Sequence, residues 1–197
     1  MKLDYKTIQQ WIKPASRVLD LGCGRGELLA YLIREKSIRG LGVEIDADNI
    51  TGCIENQVNV VEQNIDNGLT NFADNSFDTV LLTQTLQAVH KPDFVLNEML
   101  RVGKEGIITF PNFGHWLARA YLLTQGKMPV SKSMPHSWYS TPNIHFCTIK
   151  DFEVLCQEQG ITILNRRFQA GVDNSTANES MLLPNLFCSQ AIYHVAR

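Results

Sequence analysis

Three glycines at alternate positions, Gly22, Gly24 and Gly26, follow an apolar segment that begins at Val18. Glycine adopts a positive φ without strain and allows a nucleotide-like ligand to approach the backbone at the end of a buried strand. The leucines from Leu28 onward have helical spacing, which predicts a helix whose free N–H groups face the same position. The stretch therefore predicts a strand, a glycine-rich turn and a helix around a carboxylate or a phosphate.

A carboxylate at a fixed distance beyond the glycines is the second signal. Glu44 lies at the end of the apolar segment 38–45, about twenty residues after the glycines, where it can accept hydrogen bonds from both hydroxyls of a ribose. The glycine spacing is G-x-G-x-G, with Asp20 just inside the first strand, whereas dinucleotide sites use G-x-G-x-x-G. The pattern therefore departs from that of NAD binding.

The segment from Leu19 to Gly26 is similar to the first motif of the class I S-adenosylmethionine (SAM) methyltransferases. This resemblance implies that the ligand is SAM or its demethylated product, S-adenosyl-L-homocysteine, and that the aspartate polarises the network around the cationic methionine end. The cofactor-binding residues that we predict follow the first four strands or lie at their ends: Asp20, Gly22, Cys23, Gly24, Gly26, Glu44, Ile45, Asn64, Ile65 and Thr83.

One position of this set departs from the usual pattern. In many SAM-binding proteins an aspartate after the third strand binds the adenine amino group, and the next apolar residue packs on the ring. Here Asn64 stands at the matching place and Ile65 at the apolar one. Asparagine keeps a hydrogen-bond acceptor but lacks the charge, so the sequence remains compatible with adenine through an uncharged contact.

Seven apolar segments predict strands, at residues 18–21, 38–45, 58–61, 77–82, 106–110, 161–168 and 186–195. Segments of helical spacing separate most of them, which predicts an α/β fold with a seven-stranded, mostly parallel sheet, helices on both faces and a ligand crevice at the strands' carboxyl ends. The resemblance implies that this fold is of the Rossmann-like class I methyltransferase type. Thr7 and Gln10 predict a capping box for a short helix over one sheet edge. A later helix from Pro92 is predicted to face inward through Phe94, Val95, Met99 and Val102.

The regular alternation is interrupted after the fifth strand by the segment from Pro111 to Phe146, which we call the cap. The cap holds four of the seven prolines, three of the five histidines and two of the three tryptophans. No acidic residue occurs between Glu105 and Asp151, so the cap is basic and aromatic within a chain of net charge −2. We expect a single methyltransferase-like domain, residues 1–197, in which this insertion at about 111–146 covers the crevice or contacts a partner.

Charge and cysteine content argue against several classes of function. With a net charge of −2 and a pI of about 6.2, the chain has no overall attraction to nucleic acid or acidic membranes. The five cysteines include no C-x-x-C pair and no H-x-x-x-H spacing occurs, so we expect neither a metal site nor a disulfide framework. The N-terminus has no apolar signal core, and no run of about 18 apolar residues occurs. We therefore expect a cytoplasmic protein without a nucleic-acid or membrane partner.

Methyl transfer from a sulfonium requires no dedicated catalytic dyad, because the cofactor supplies the leaving group. A base matters only where the acceptor loses a proton, and the candidates are His90, His115, His136, Tyr139 and His145. Gln84 and Gln87 stand where several methyltransferase groups place an acid or an N-P-P-Y run. The absence of that motif argues against nucleobase amino groups as acceptors, and it leaves small molecules or no transfer at all.

Three further stretches, residues 83–87, 110–116 and 139–148, make the likeness closer than fold alone. Together with the glycine-rich segment they resemble the methionine-biosynthesis MetW family over nearly the whole chain. This resemblance implies a methyltransferase-like protein that works beside homoserine O-acetyltransferase in making methionine, by binding that enzyme and supporting its activity. It does not identify a methyl acceptor.

Two functions therefore remain open: a SAM-responsive partner of the acyltransferase, or a methyltransferase that acts on a small molecule. The cap includes Arg119, Lys127 and Lys132 together with two tryptophans, a composition typical of interface hot spots that would attract an acidic face. The residues that we predict to contact a substrate or the partner are Gln84, Gln87, Asn112, His115, Trp116, Trp138, Tyr139 and His145.

Overall fold

The computed structural model describes residues 5–131, 135–170 and 182–197. Within them one sheet is formed by β1 (Arg17–Leu21), β2 (Arg39–Glu44), β3 (Val60–Glu62), β4 (Phe77–Thr83), β5 (Gly103–Pro111), β6 (Thr162–Gln169) and β7 (Gln190–Ala196). The helices are α1 (Tyr5–Trp11), α2 (Glu27–Lys36), α3 (Ala47–Glu55), α4 (Pro92–Val102), α5 (Trp116–Gln125), α6 (Ile149–Glu158) and α7 (Pro184–Phe187). Short 3₁₀ turns follow β3 and β4, at Ile65–Asn67 and Leu86–Ala88.

The strand order is β3-β2-β1-β4-β5-β7-β6. Neighbouring strands from β3 to β5 pair in parallel, and β7 pairs antiparallel with both β5 and β6. The carboxyl ends of the first five strands therefore meet at one edge of the sheet, where the ligand crevice of an open α/β sheet lies. The predicted class I methyltransferase type of fold is confirmed.

Three strands differ from the predicted bounds by two or more residues at one end. The third strand begins at Val60 rather than at residue 58, because Val58 packs into a core instead of joining the ladder. β5 extends to both sides of residues 106–110, since it pairs with β7 from Glu105 to Pro111. The last strand begins at Gln190, because Pro184 starts a short helix in the preceding segment.

Alternate strand residues face two separate cores, as expected for strands that are covered on both faces. The first core joins α4 and α6 to one set of strand residues: Leu19, Leu21, Val80, Leu82, Ile108 and Phe110. The second core joins α1, α2 and α3 to the intervening set: Val18, Leu81, Ile107 and Ile192. Asp20 alternates with Leu19 and Leu21, so it lies on the side of the second core.

The prediction for the first helix was wrong in two respects. Thr7 is a buried residue within α1 rather than its cap, since the helix already includes Tyr5. Ile8 and Ile12 are spaced four apart and pack into the second core with residues of β4, β5 and β7. The helix therefore covers a face of the sheet and not an edge.

The two later helices follow their sequence signals more closely. α4 begins at Pro92, and Val95, Met99 and Val102 are buried as predicted. Phe94 is instead 40% exposed, because it lies beside the buried stripe and packs near Gly68. α6 begins with a capping box, in which Thr148 and Asp151 exchange hydrogen bonds.

Candidate functional site

The glycine-rich turn follows β1 directly and is bound to β2. The N–H groups of Gly22 and Cys23 donate to the carbonyl of Val43, at 2.8 and 3.1 Å. Gly22, Gly24 and Gly26 have φ values of 69°, 55° and 74°, which L side chains rarely adopt. A Cβ at Gly22 would also lie 2.6 Å from the Thr85 side chain, so this position requires glycine for space as well as for conformation.

Asp20 lies beneath this turn, 1% exposed, and neither of its carboxylate oxygens has a hydrogen-bond partner among the described residues. Burial raises the pKa of Asp20 to about 7, and the negative charge of Glu44 is the smaller, second cause. An unpaired buried carboxylate is costly. A cation or a hydrogen-bond donor at this position would remove that cost. A ligand with a positively charged end would supply such a group.

Glu44 is the last residue of β2, and its carboxylate is held by three backbone N–H groups. Its Oε1 accepts from Ile45 and Asp46 at 2.8 and 3.1 Å, and its Oε2 accepts from Gly24 at 2.8 Å. The side chain thus ties the end of β2 to the glycine turn. Since a carboxylate oxygen can accept two hydrogen bonds, Oε2 retains capacity for a hydroxyl.

The remaining cofactor candidates occupy the same edge in different environments. Ile45 is 59% exposed directly after Glu44, where it offers apolar surface. The Oδ1 of Asn64 accepts from the N–H of Asp66 at 2.9 Å and caps the turn after β3, so its acceptor is engaged locally. Ile65 packs into the first core, and Thr83 ends β4.

Two residues that the sequence analysis missed also shape the turn. Cys53 of α3 donates from Sγ to the carbonyl of Gly24 at 3.1 Å, and its Sγ lies 3.6 Å from that of Cys23. Burial is the main reason why the pKa values of both thiols are raised. Thr85 donates to the carbonyl of Thr83 at 3.0 Å and lies against Gly22. No motif includes Cys53, and the stretch 83–87, which includes Thr85, assigns that residue no role, because both contacts depend on packing between distant segments.

The loop after β4 connects the sheet edge to the cap. Gln84 has a φ of 57°, and both its backbone N–H and its side chain donate to the Thr109 hydroxyl. Gln87 is buried and donates from Nε2 to the carbonyl of Gln84 at 2.8 Å, while its own carbonyl accepts from Ile144 and His145. Its Oε1 is buried without a partner among the described residues. The C-terminal end of the cap is therefore docked on this loop.

Asn112 lies at the start of the cap, 2% exposed and fully hydrogen-bonded. Its Nδ2 donates to the carbonyls of Asn185 and Cys188 at 3.1 and 2.7 Å. Its Oδ1 accepts from the N–H groups of Gly114 and Ile149 at 3.0 and 3.3 Å. These contacts join the start of the cap to α6 and to the segment before β7, and they describe a structural role.

The other candidates in the cap make separate local contacts. The Nδ1 of His115 accepts from the N–H of Leu117 at the start of α5, and burial lowers the pKa of the imidazole. His145 contacts the carbonyl of His90 through Nε2 at 3.4 Å. Trp138 and Tyr139 are 73% and 77% exposed and pack edge to face on each other.

A shallow cleft lies within the cap itself, with room for about one water molecule. His136, Trp138, Met128 and Phe146 are among its lining residues. Lys132 falls outside the described residues. Across the described part of the chain, no cluster of three or more His, Cys, Asp or Glu side chains is arranged to hold a metal ion. None of the described helices has the length and apolar character needed to cross a membrane.

Solved structures with the same fold include many SAM-dependent methyltransferases. One from Archaeoglobus fulgidus has a TM-score of 0.70 at 18% identity, over 98% of this chain and 95% of its own. One from Mesorhizobium loti has a TM-score of 0.71 at 12% identity, over 98% and 96%. The [4+2]-cyclase SpnF also matches, with a TM-score of 0.67 at 16% identity over 98% and 80%. At these identities the likeness establishes the fold and not the reaction.

Sequence relatives are more specific. The bifunctional methionine biosynthesis protein MetXA/MetW of Rhodopirellula baltica is 36% identical over an alignment of 201 positions, which covers 98% of this chain and 32% of that protein. This chain thus spans about a third of the length of that relative. The model of the family described as methionine biosynthesis protein MetW matches residues 2–195. The chain therefore belongs to the MetW family of methionine biosynthesis proteins.

Proposed function

We propose that this chain binds SAM or S-adenosyl-L-homocysteine at the glycine-rich turn and acts in methionine biosynthesis as a partner that modulates homoserine O-acetyltransferase. The observation that carries the ligand assignment is Asp20, whose buried carboxylate has no partner among the described residues. SAM has a cationic methionine end, whose ammonium or sulfonium charge would compensate this carboxylate. The Oε2 of Glu44 accepts from the N–H of Gly24 in the same turn, and it can also accept a ribose hydroxyl.

The partner assignment is supported by the family and by the fused relative. In the Rhodopirellula protein, a MetW segment similar to this chain is joined to MetXA; we infer that the MetXA part corresponds to the homoserine O-acetyltransferase. Fusion holds two parts at a high effective concentration, which favours pairs that work together. We extend that association to this chain and place it in the cytoplasm, where an amino-acid biosynthetic pair would operate.

The proposal includes an arrangement for the whole chain. Residues 1–197 are one methyltransferase-like domain, and the cap at about 111–146 closes on the ligand or contacts the partner. The contacts of Gln87 with Ile144 and His145 support this arrangement, because they link the end of the cap to the loop beside the glycine turn. Limited proteolysis tests it: unchanged cleavage within the cap in the presence of SAM and of the acyltransferase would leave the cap as a fixed lid.

A small-molecule methyltransferase is the second candidate. His115 favours it, because burial lowers its pKa and keeps the imidazole neutral and able to accept a proton. The unpaired Oε1 of Gln87, on the loop after β4, offers a further acceptor for a polar substrate. The fold is compatible with either function, since methyl transfer requires mainly that donor and acceptor be positioned.

Ligand identity is tested first, by thermal melting of the purified chain with SAM, S-adenosyl-L-homocysteine or NAD. A ligand at one hundred times its Kd is expected to add about 2.7 kcal/mol of stability. We expect the two adenosyl ligands to raise the melting temperature and NAD to leave it unchanged. No shift with either, or a larger shift with NAD, would contradict the assignment.

Copurification with homoserine O-acetyltransferase, with and without SAM, tests the partner function. We expect a complex by size-exclusion chromatography with light scattering, and a changed acyltransferase rate when the two proteins are mixed at micromolar concentration. If no complex forms and the rate is unchanged, while a metabolite is methylated, the enzyme candidate replaces the partner candidate.

A further inference from the structure

The helix α5 presents its apolar side to solvent. Of its ten residues, all of them described, Ala118 alone is buried. Four of its five large apolar side chains are exposed instead, Trp116 by 46%, Leu117 by 55%, Tyr121 by 41% and Leu123 by 87%, and the fifth, Leu122, is half-buried. Surface helices normally bury such a stripe against their own domain. The orientation of α5 is therefore the reverse of the usual one.

The exposed residues form one continuous face. At 3.6 residues per turn, these four side chains spread over about 160° of the helix circumference. Trp116 and Leu123 are seven positions apart, and Leu117 and Tyr121 are four apart. This is the spacing by which an amphipathic helix anchors in an apolar groove of another protein. Exposed contiguous apolar surface of this kind marks an interaction site.

The ends of α5 are built to hold the helix without that contact. His115 caps the first turn by accepting from the N–H of Leu117, and Gly126 closes the last turn in the left-handed conformation with a φ of 61°. A ten-residue helix with one buried side chain is marginal by itself. These caps hold the face in shape before a partner arrives, which lowers the entropic cost of binding.

Charge indicates the kind of surface that fits α5. No acidic residue occurs from Gly106 to Lys150, whereas Arg119 and Lys127 are exposed. The Nε of Arg119 donates to the carbonyl of Gly114, so the side chain is anchored at the edge of the helix. A complementary surface would be an apolar groove with an acidic rim.

We infer that the solvent-facing side of α5 is the docking surface for homoserine O-acetyltransferase. This inference rests on the proposed partner function, and it names the element that makes the contact. The acyltransferase is the occupant that the fused relative supports, since a MetW segment there is joined to MetXA. A second copy of this chain is the competing occupant, and it would carry the same basic rim, so like charges would meet.

The test uses the full-length chain with two α5 variants. In the double variant Leu117→Ser/Tyr121→Ser we expect the dissociation constant for the acyltransferase to rise by about 30-fold or more, and in Leu123→Glu by about 10-fold. Leu123 is 87% exposed, so its variant is expected to fold normally. Ile54→Ser is the matched control, because Ile54 is an exposed apolar residue of α3 at 67%. We expect it to change the dissociation constant by less than about twofold.

Binding is measured by calorimetry, and the SAM-induced melting shift of each variant reports on its fold. If the unmodified chain binds but both α5 variants bind as tightly, the docking surface is wrong while the partner function stands. If the unmodified chain does not bind at all, the partner function is wrong and the docking surface falls with it. Concentration-dependent dimerisation that the α5 variants abolish, without loss of acyltransferase binding, would assign the face to a second copy.

Discussion

The glycine-rich turn and the cap lie near the same edge of the sheet and are built in opposite ways. In the turn, backbone N–H groups bind the carboxylate of Glu44 and the carbonyl of Val43, so each short segment is fixed by several local contacts. In the cap, Trp138 and Tyr139 are more than 70% exposed, and α5 turns its apolar side outward. Pre-organised backbone suits a small ligand, whereas exposed aromatic surface suits a protein.

Because of this contrast, substitutions in the two regions are expected to affect different properties of the protein. Substitutions in the turn are expected to lower both stability and ligand affinity, because fold and site share the same hydrogen bonds. Substitutions at the exposed positions of the cap are expected to leave stability almost unchanged and to act on partner binding, because exposed side chains contribute little to the fold.

The largest effect is expected at Gly22, with Gly24 as the matched control. Both have positive φ, but a Cβ at Gly22 would lie 2.6 Å from Thr85, whereas a Cβ at Gly24 has no neighbour within 4 Å. Gly24→Ala should therefore cost about 1–2 kcal/mol of unfolding free energy through conformation alone. Gly22→Ala should cost about 2–5 kcal/mol, since overpacking is added. Equal losses in chemical denaturation would show that Thr85 moves aside without cost.

Asp20 is expected to make the stability of the ligand-free chain depend on pH. Its pKa in the folded state is raised from 3.8 to about 7, so the folded state binds more protons than the unfolded state between those values. Stability contributed by the protonated group is therefore lost as pH rises from about 4 to about 7, by at most about 4 kcal/mol. Asp20→Asn should flatten this loss and weaken SAM binding.

The measurement for Asp20 is urea denaturation from pH 4 to 8, with and without SAM. A cationic ligand favours the ionised carboxylate, so SAM affinity should increase as pH rises through this range. A ligand-free stability curve with the same slope in Asp20→Asn as in the unmodified chain would remove Asp20 as the titrating group.

Glu44 is expected to have an intermediate effect, mainly on ligand affinity. Glu44→Ala should weaken SAM binding by about 1.5–3 kcal/mol if Oε2 accepts a ribose hydroxyl, as hydrogen bonds to charged groups typically contribute. Asp46→Ala is the control: Asp46 is also a carboxylate, two residues after β2, but its side chain caps α3 by accepting from the N–H of Asn49. Calorimetric affinities that fall equally in both variants would show a general loss of order rather than a lost ribose contact.

The smallest effects on stability are expected in the cap. Trp138→Ala should cost about 2 kcal/mol of partner binding if the ring becomes a buried anchor, while the melting temperature stays unchanged. Lys127→Ala should chiefly slow association, with an effect that disappears at high salt. Surface plasmon resonance at two salt concentrations separates the two. A loss of stability in Trp138→Ala would mean that contacts of this side chain with the rest of the fold hold the cap in place, as local contacts hold the turn.

The sequence was sufficient for the mostly parallel seven-stranded sheet, the glycine turn and the acidic residue at the end of β2, because each depends on local spacing. It was insufficient wherever a side chain has two possible surroundings. Phe94 has a large apolar side chain, as core residues do, but it lies outside the buried stripe of α4. Asn112 was assigned to a substrate or partner, and only the structure shows its four bonds to backbone groups.

By itself, the sequence determined where the chain must turn sharply and where a carboxylate must follow, since glycine conformations and strand periods are local properties. The tertiary structure decided which side chains are covered. The amide of Asn112 meets the carbonyl of Cys188 across 76 positions, and the thiol of Cys53 reaches the carbonyl of Gly24 across 29. Likewise, the composition of α5 shows that it is apolar, but it does not show whether its apolar side faces the core or the solvent. A helix faces solvent or core according to what packs beside it, and that depends on segments far away in the chain.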